Sequence, residues 1–177
     1  MPDLTENDSP GQAFTHRNNP SLPDETCARL TNDGVGVLDW GTGLSWDHTL
    51  AADDHTGAAK RSFEVVRHLN EHGGYGVMHT PGFDEISIGR VEPPCIRFKE
   101  LEDTSGETRY FKVFQFDTYD TVDADEFPAV KQFATNYVRW ETLQMIEEKD
   151  DTESSPRAVT DAYIQLDLSD RLQRADI

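Results

Sequence analysis

A chain of 177 residues has room for one modest core, and no apolar run in it reaches the length of a membrane-crossing helix. Its 34 acidic and 16 basic residues leave a formal net charge of -18, which at ordinary ionic strength opposes nucleic acid and other polyanions. Two cysteines, Cys27 and Cys95, are too few for a disulfide framework and lack metal-ligand spacing, so a reduced, cytoplasmic setting is expected.

The kind of acidity qualifies the first exclusion. Asp outnumbers Glu by 20 to 14, and Arg outnumbers Lys by 11 to 5, a balance that resembles the proteins of salt-in halophiles, whose cytosol is molar in salt. At about 1 M salt the Debye length is only about 3 Å, so net charge no longer decides against a polyanionic ligand.

Taken in chain order, residues 1–23 are Asp, Asn, Ser, Pro, Gly and Thr with little to bury, and they lack the basic and apolar regions of a secretory signal. A disordered N-terminal arm is expected there, with the folded domain over 24–148. Asp24 to Leu30 reads as a short helix, opened by Pro23 and two acids and stopped by Asn32-Asp33-Gly34. A strand from Gly34 to Trp40 runs into a glycine-rich loop that carries a second tryptophan, Trp46. The helix expected from Gly57 to His72 has Ala59, Phe63, Val66 and Leu69 on one stripe and ends at Gly73-Gly74.

Beyond that helix the period changes to two. Tyr75 to Thr80 and Glu85 to Val91 form a hairpin about Pro81-Gly82, a pair suited to a type II turn, and Gly89 reads as a bulge that returns Val91 to the core. Pro93-Pro94 interrupts the pairing, and Ile96 to Phe98 with Arg109 to Phe116 make a second hairpin. Asp123 to Glu126 caps a helix that Phe127-Pro128 begins. Residues 137–146 are expected to be helical. Residues 149–177 form a charged linker and a C-terminal segment in which Val159, Tyr163, Leu166 and Leu172 keep near-helical spacing while Tyr163, Ile164, Leu166 and Leu168 partly alternate. The fold class is α+β: five mostly antiparallel strands able to close a small barrel, with inserted and flanking helices.

Catalytic signatures are sparse. His68-Leu69-Asn70-Glu71-His72 spells the H-x-x-E-H zinc motif of inverzincin peptidases, with two histidines one turn apart and a glutamate as base. Yet at 100° per residue His68 points about 180° away from Ala59, toward the solvent face, and the chain is too short for that peptidase architecture. Asp53-Asp54-His55 offers cation ligands that an acidic composition produces by itself. No G-x-S-x-G, Walker loop or G-x-G-x-x-G occurs.

What remains is an order of elements: Val35-Gly36-Val37-Leu38-Asp39-Trp40-Gly41, then Phe63 on a helix, then Gly76-Val77, Ile88-Gly89-Arg90-Val91 and Phe111-Lys112-Val113-Phe114. This order resembles the PUA-like barrels of the EVE type, especially those fused to restriction-type nucleases. The resemblance spans residues 33–116, with Tyr75-Gly76 standing where the family has a Gly-Asp pair. It implies an aromatic pocket that takes a base, often a modified one, from a nucleic acid, held by stacking and by hydrogen bonds to its edge. Trp40 and Trp46 would supply the rings, Asp39, Ser45 and Thr80 the edge contacts, and His79 and Arg90 the phosphate contacts. The bland alternative makes Trp40 a core residue closing the strand end and Trp46 a loop anchor.

The expected function is therefore a non-enzymatic recognition module with no catalytic residue, metal or cofactor, and with nucleic acid or a modified base as partner. Two other classes compete: an accessory subunit of a halophilic complex that docks a protein partner in trans, and a metal-dependent hydrolase using His68 and His72. Sixteen bases cannot pair 34 acids, so unscreened repulsion burdens the folded chain at low salt. In a thermal melt series, Tm is expected to rise continuously between about 0.1 and 2 M KCl, the range over which the Debye length falls toward about 3 Å; a flat or falling Tm would reject the halophilic reading.

Overall fold

The structure, a computed structural model, describes residues 13–18, 22–38, 57–135, 143–146 and 156–175. Along these residues run β1 (Ala13–Arg17), α1 (Asp24–Asn32), β2 (Val35–Leu38), α2 (Gly57–His72), β3 (Gly74–His79), β4 (Glu85–Val91), β5 (Ile96–Glu102), β6 (Thr108–Gln115) and β7 (Thr118–Asp123). A single 3-10 turn (Ala124–Glu126), α3 (Pro128–Thr135), β8 (Leu143–Met145) and α4 (Pro156–Ala175) complete them. Five strands form one sheet in the order β7-β4-β3-β1-β8, and three form another in the order β2-β6-β5. Only β1 and β3 pair in parallel among the described residues. The chain is thus α+β with two mostly antiparallel sheets. The expected closed barrel is not found among the described residues, because no strand of one sheet pairs with a strand of the other.

Both faces of the five-stranded sheet are buried. Ala13, Tyr75, Val77, Ile86 and Ile88 point to one side and pack with Val130 of α3 and Val159 and Ala162 of α4. Phe14, Met78 and Val91 point to the other side, against Leu38, Phe114 and Phe116 and against Val66 and Leu69 of α2. A third cluster joins Cys27 and Leu30 of α1 to Val35, Val37, Phe111 and Val113 of the smaller sheet.

Burial on two faces corrects three sequence expectations. Residues Ala13–Arg17, expected in a disordered arm, form β1 in the interior of the sheet, where Ala13 and Phe14 are fully buried and His16 is bonded to Asn18. Gly89 is not a bulge: β4 stays in register with β3 from Ile86 to Val91, and Val91 is buried because the second face has a core of its own. The boundary expected at residue 148 does not set α4 apart, since Val159 and Ala162 are buried in the same core as Ala13 and Val77. A fourth correction is local. Leu143–Met145, expected to be helical, is the short edge strand β8, antiparallel to β1.

Other elements follow the sequence closely. Helices α1 and α2 occupy the expected segments, and α2 stops where Gly73 takes φ +72 and its N–H bonds the carbonyl of Leu69 at 2.8 Å. The β3–β4 turn has Gly82 at φ +86 and a Phe83 N–H to Thr80 carbonyl bond of 3.2 Å, as a type II turn requires. Asp123 caps the 3-10 turn by accepting from the Asp125 N–H at 2.9 Å, and Pro128 opens α3. No helix among the described residues is long and apolar enough to cross a membrane.

Glycines let aromatic rings sit directly on the sheets. Phe14 is the register partner of Gly76, and Phe114 of Gly36, and in each pair a Cβ on the glycine would collide with the ring. A Cβ on Gly89 would lie 2.6 Å from Phe116. Phe14 meets Phe114 edge-on at 5.7 Å and Phe116 at 5.9 Å, so the three rings bridge the two sheets. Gly76→Ala is expected to destabilise by about 1–3 kcal/mol through overpacking, seen as a lower Tm. Gly82→Ala, with nothing within 4 Å of its Cβ, loses stability through its positive φ alone, by about 1 kcal/mol. Adding Phe14→Leu should recover part of the first loss and none of the second; equal recovery would argue against the ring-on-glycine account.

Candidate functional site

Polar residues gather where the parallel strands end. β1 finishes in His16, Arg17 and Asn18, and β3 in His79 and Thr80, with the Asn18 N–H bonded to the His79 carbonyl at 2.8 Å. Carboxyl ends of neighbouring parallel strands leave backbone and side-chain groups unpaired by the ladder, which is why ligands collect at such edges. Alternation sends Asn18, His16 and Thr80 toward α1 and the smaller sheet, and Arg17 and His79 toward the face that packs α3 and α4.

Asn18 is fully buried and fully satisfied. Its Oδ1 accepts from the Val37 N–H at 2.9 Å, and its Nδ2 donates to the Val35 carbonyl and to Thr31 Oγ1, each at 2.8 Å. The backbone partners therefore fix the orientation of the amide. Since Oδ1 can only accept, His16 Nε2, at 2.9 Å, must carry a proton and donate it. His16 Nδ1 is then the bare nitrogen, buried without a partner among the described residues, on a ring that meets Phe114 edge-on. Burial pushes the His16 imidazole down to about 3, against the opposing pull of its bond to Asn18, so the ring is neutral.

The network continues outward from Asn18. Thr31 Oγ1 bonds Thr80 Oγ1 at 2.7 Å, Ser87 Oγ donates to the Thr31 carbonyl at 2.5 Å, and Thr121 Oγ1 donates to the Asn32 carbonyl at 3.3 Å. Sheet hydroxyls thus satisfy the last carbonyls of α1, which a helix cannot satisfy itself. Above the Thr31–Thr80 pair opens a cleft of about 460 Å³, lined by Asn32, Thr80, Phe83, Asp84, Glu85 and Asp123 among others. Glu85 and Asp123 are register partners on β4 and β7, and Asn32 Nδ2 donates to Glu85 Oε2 at 3.0 Å. The cleft is acidic, and its field reaches α3: the Lys131 ammonium is held above its ordinary range by Asp125 first, with Asp84 and Asp123 adding to it.

The expected site residues are only partly brought together. Thr80 forms the cleft floor, while His79 beside it faces the opposite side of the sheet. Burial, then Arg17, lowers His79 to about 4. Arg90 shares that side but pairs with Tyr75 at the far end of β3 and lies over the Tyr75 ring at 5.5 Å. Four residues of strand, roughly 13 Å, separate Arg90 from the His79 level, so the two do not converge. Asp39, Trp40, Ser45 and Trp46 lie outside the described residues. His16, Arg17, Asn18 and Thr31 were not foreseen, since the run Phe14 to Asn18 shows no apolar alternation that would mark a strand.

His68 and His72 sit on α2 with ring centroids 4.9 Å apart, His68 half-buried and His72 exposed beside Glu71. Among the described residues no group of three or more His, Cys, Asp or Glu side chains is placed to hold a metal ion. Both cysteines are buried free thiols, raised by burial to about 11 for Cys27 and about 12 for Cys95, which keeps them protonated and unreactive. The chain matches no protein-family model, no curated protein and no solved structure.

A neutral buried histidine makes stability depend on acid. The folded ring binds its proton only near pH 3, the unfolded ring at 6.5, so the unfolded state takes up more protons between these values and stability falls as pH is lowered through that window. The slope is at most about 1.4 kcal/mol per pH unit for each such histidine. In molar KCl, where repulsion among carboxylates is screened, Tm should fall on acidification from pH 6.5, and His16→Gln should lose less. An unchanged acid profile in that variant would contradict the assignment.

Proposed function

We propose that this chain is a non-enzymatic recognition domain of PUA-like kind, acting in the cytoplasm at high salt, that takes a nucleobase, plain or modified, from a nucleic acid. The observation that carries the reading is the cleft at the end of β3. It offers Asp84, Glu85 and Thr80 as acceptors, Asn32 as a donor and Phe83, 39 % exposed, as an apolar ring. Carboxylates accept from exocyclic amino groups, hydroxyls and amides serve either edge, and a ring stacks on any base. A volume of about 460 Å³ falls in the range of small-ligand sites.

Acids in the cleft repel phosphate, so the base enters and the backbone stays outside, and the preference is for amine-bearing bases. Trp40 and Trp46, with Asp39 and Ser45, belong to the proposal on sequence grounds: they follow Leu38, which is buried in the core between the sheets. A second reading, a docking subunit for a protein partner, draws on Phe98 and Tyr110, which are 38 % and 54 % exposed on one face of the β5–β6 hairpin.

Calorimetric titration in about 2 M KCl, where screening is nearly complete, separates the two. Short single strands containing cytosine or adenine should bind more tightly than thymine-only strands. Asp84→Asn should weaken that binding about tenfold, the worth of one charged hydrogen bond, without lowering Tm. Absence of binding by every strand would end the base-recognition reading, and a Trp46→Ala chain that still captures a defined protein subunit would favour the second.

A further inference from the structure

The opposite face of the same sheet end carries a second constellation. Arg17 and His79 are register partners on the parallel strands β1 and β3, so their side chains stand side by side. Gln144 on β8 pairs with Thr15, which alternation places on the same face as Arg17, one diagonal step away. That spacing, about 7–8 Å between diagonal positions, is within reach of long side chains. Two buried polar atoms here have no hydrogen-bond partner among the described residues: Arg17 Nε and Gln144 Oε1, the latter on a side chain 9 % exposed. Leaving such groups unsatisfied is costly, and a guanidinium is the costlier of the two.

The surroundings say what would satisfy them. In the row that contains Arg17 and His79, the next residues across the sheet are Ile86 and Val122, so no carboxylate of that row faces the guanidinium. Glu85 and Asp123, one position along each strand, point to the other face. The sheet therefore sets the Glu85 and Asp123 carboxylates of the cleft and the Arg17 guanidinium on opposite faces. We propose that Arg17, His79 and Gln144 form a binding site for a phosphate oxyanion at the carboxyl ends of β1 and β3. Arg17 donates Nε–H and its charge, neutral His79 donates a ring N–H, and Gln144 donates Nε2–H once its amide is turned over, an orientation that electron-equivalent O and N atoms leave to the bonding partners.

This inference rests on the base-recognition reading for its biological source, since the phosphate would belong to the strand whose base enters the cleft one residue away at Thr80. The site itself can be tested alone. With side-chain 15N-labelled protein in about 2 M KCl, to hold screening constant, inorganic phosphate should produce saturable shifts of the His79 imidazole and the Gln144 amide. Arg17→Gln should weaken the response about tenfold, the loss of one charge-assisted bond, while Arg17→Lys keeps part of it. Gln144→Leu, which removes the amide and fills the same apolar space, is the second variant should Arg17→Gln fail to melt cooperatively.

Absence of a saturable shift, or one unchanged in whichever of these variants melts cooperatively, would overturn the site. A 5′-phosphorylated trinucleotide that binds more tightly than its unphosphorylated form identifies a strand as the source; equal binding with a retained response to inorganic phosphate identifies a free phosphate. A response to inorganic phosphate with no oligonucleotide binding would uphold this site and end the base-recognition reading. Oligonucleotide binding indifferent to both Arg17→Gln and Gln144→Leu would do the reverse.

Discussion

The side-chain amide of Asn18 is the constraint on which the arrangement depends. It holds β2 by two backbone bonds, α1 through Thr31 and β1 through His16, while the backbone N–H of Asn18 holds β3. Two sheets that share no strand pairing among the described residues, and the helix that seals their junction, are thereby tied at one buried point. Each of its four side-chain bonds is net worth about 1 kcal/mol, but their larger consequence is positional. An amide with all its donors and acceptors used admits one orientation, so the register between the sheets and the tautomer of His16 are fixed together.

Around that point the packing is aromatic. Phe14, Phe114 and Phe116 approach the sheets only where Gly76, Gly36 and Gly89 leave room, and the rings carry the contact from one sheet to the other. The polar knot and the ring cluster occupy successive positions of the same strand, Phe14 then His16 then Asn18, so the site edge is continuous with the core. Rigidity at the edge follows, which is the condition for a cleft that discriminates ligands by hydrogen bonds rather than by adaptation. The sheet also sets Glu85 and Asp123 on the α1 side and Arg17 with His79 on the other.

Periodicity made much of this fold legible. The stripe of α2, the caps of α1, the type II turn at Pro81-Gly82 and the two hairpins are each written in local residue spacing, and each stands where it was expected. β1 was not legible, because Thr15, His16 and Arg17 look like solvent-facing residues until Asn18, Thr31 and Thr80 are placed around them. Those partners lie 13 residues away for Thr31 and a further 49 for Thr80, and no local pattern announces them. β8 fails for the opposite reason: three residues are too few to show any period. His79 and Thr80 could be chosen as site residues from sequence, but their division between two faces needed the pairing of β3 with β1.

The central claim is that Asn18 fixes a neutral, Nε2-protonated His16 at the junction of the sheets. Long-range 1H–15N correlation spectra of the imidazole nitrogens in molar KCl read this directly. The account predicts a protonated Nε2 and a bare Nδ1 for His16, unchanged from neutral pH down to roughly pH 5, well below the range in which an unperturbed histidine titrates. A His16 ring protonated on Nδ1, or one that becomes imidazolium near the ordinary histidine value of 6.5, would contradict it.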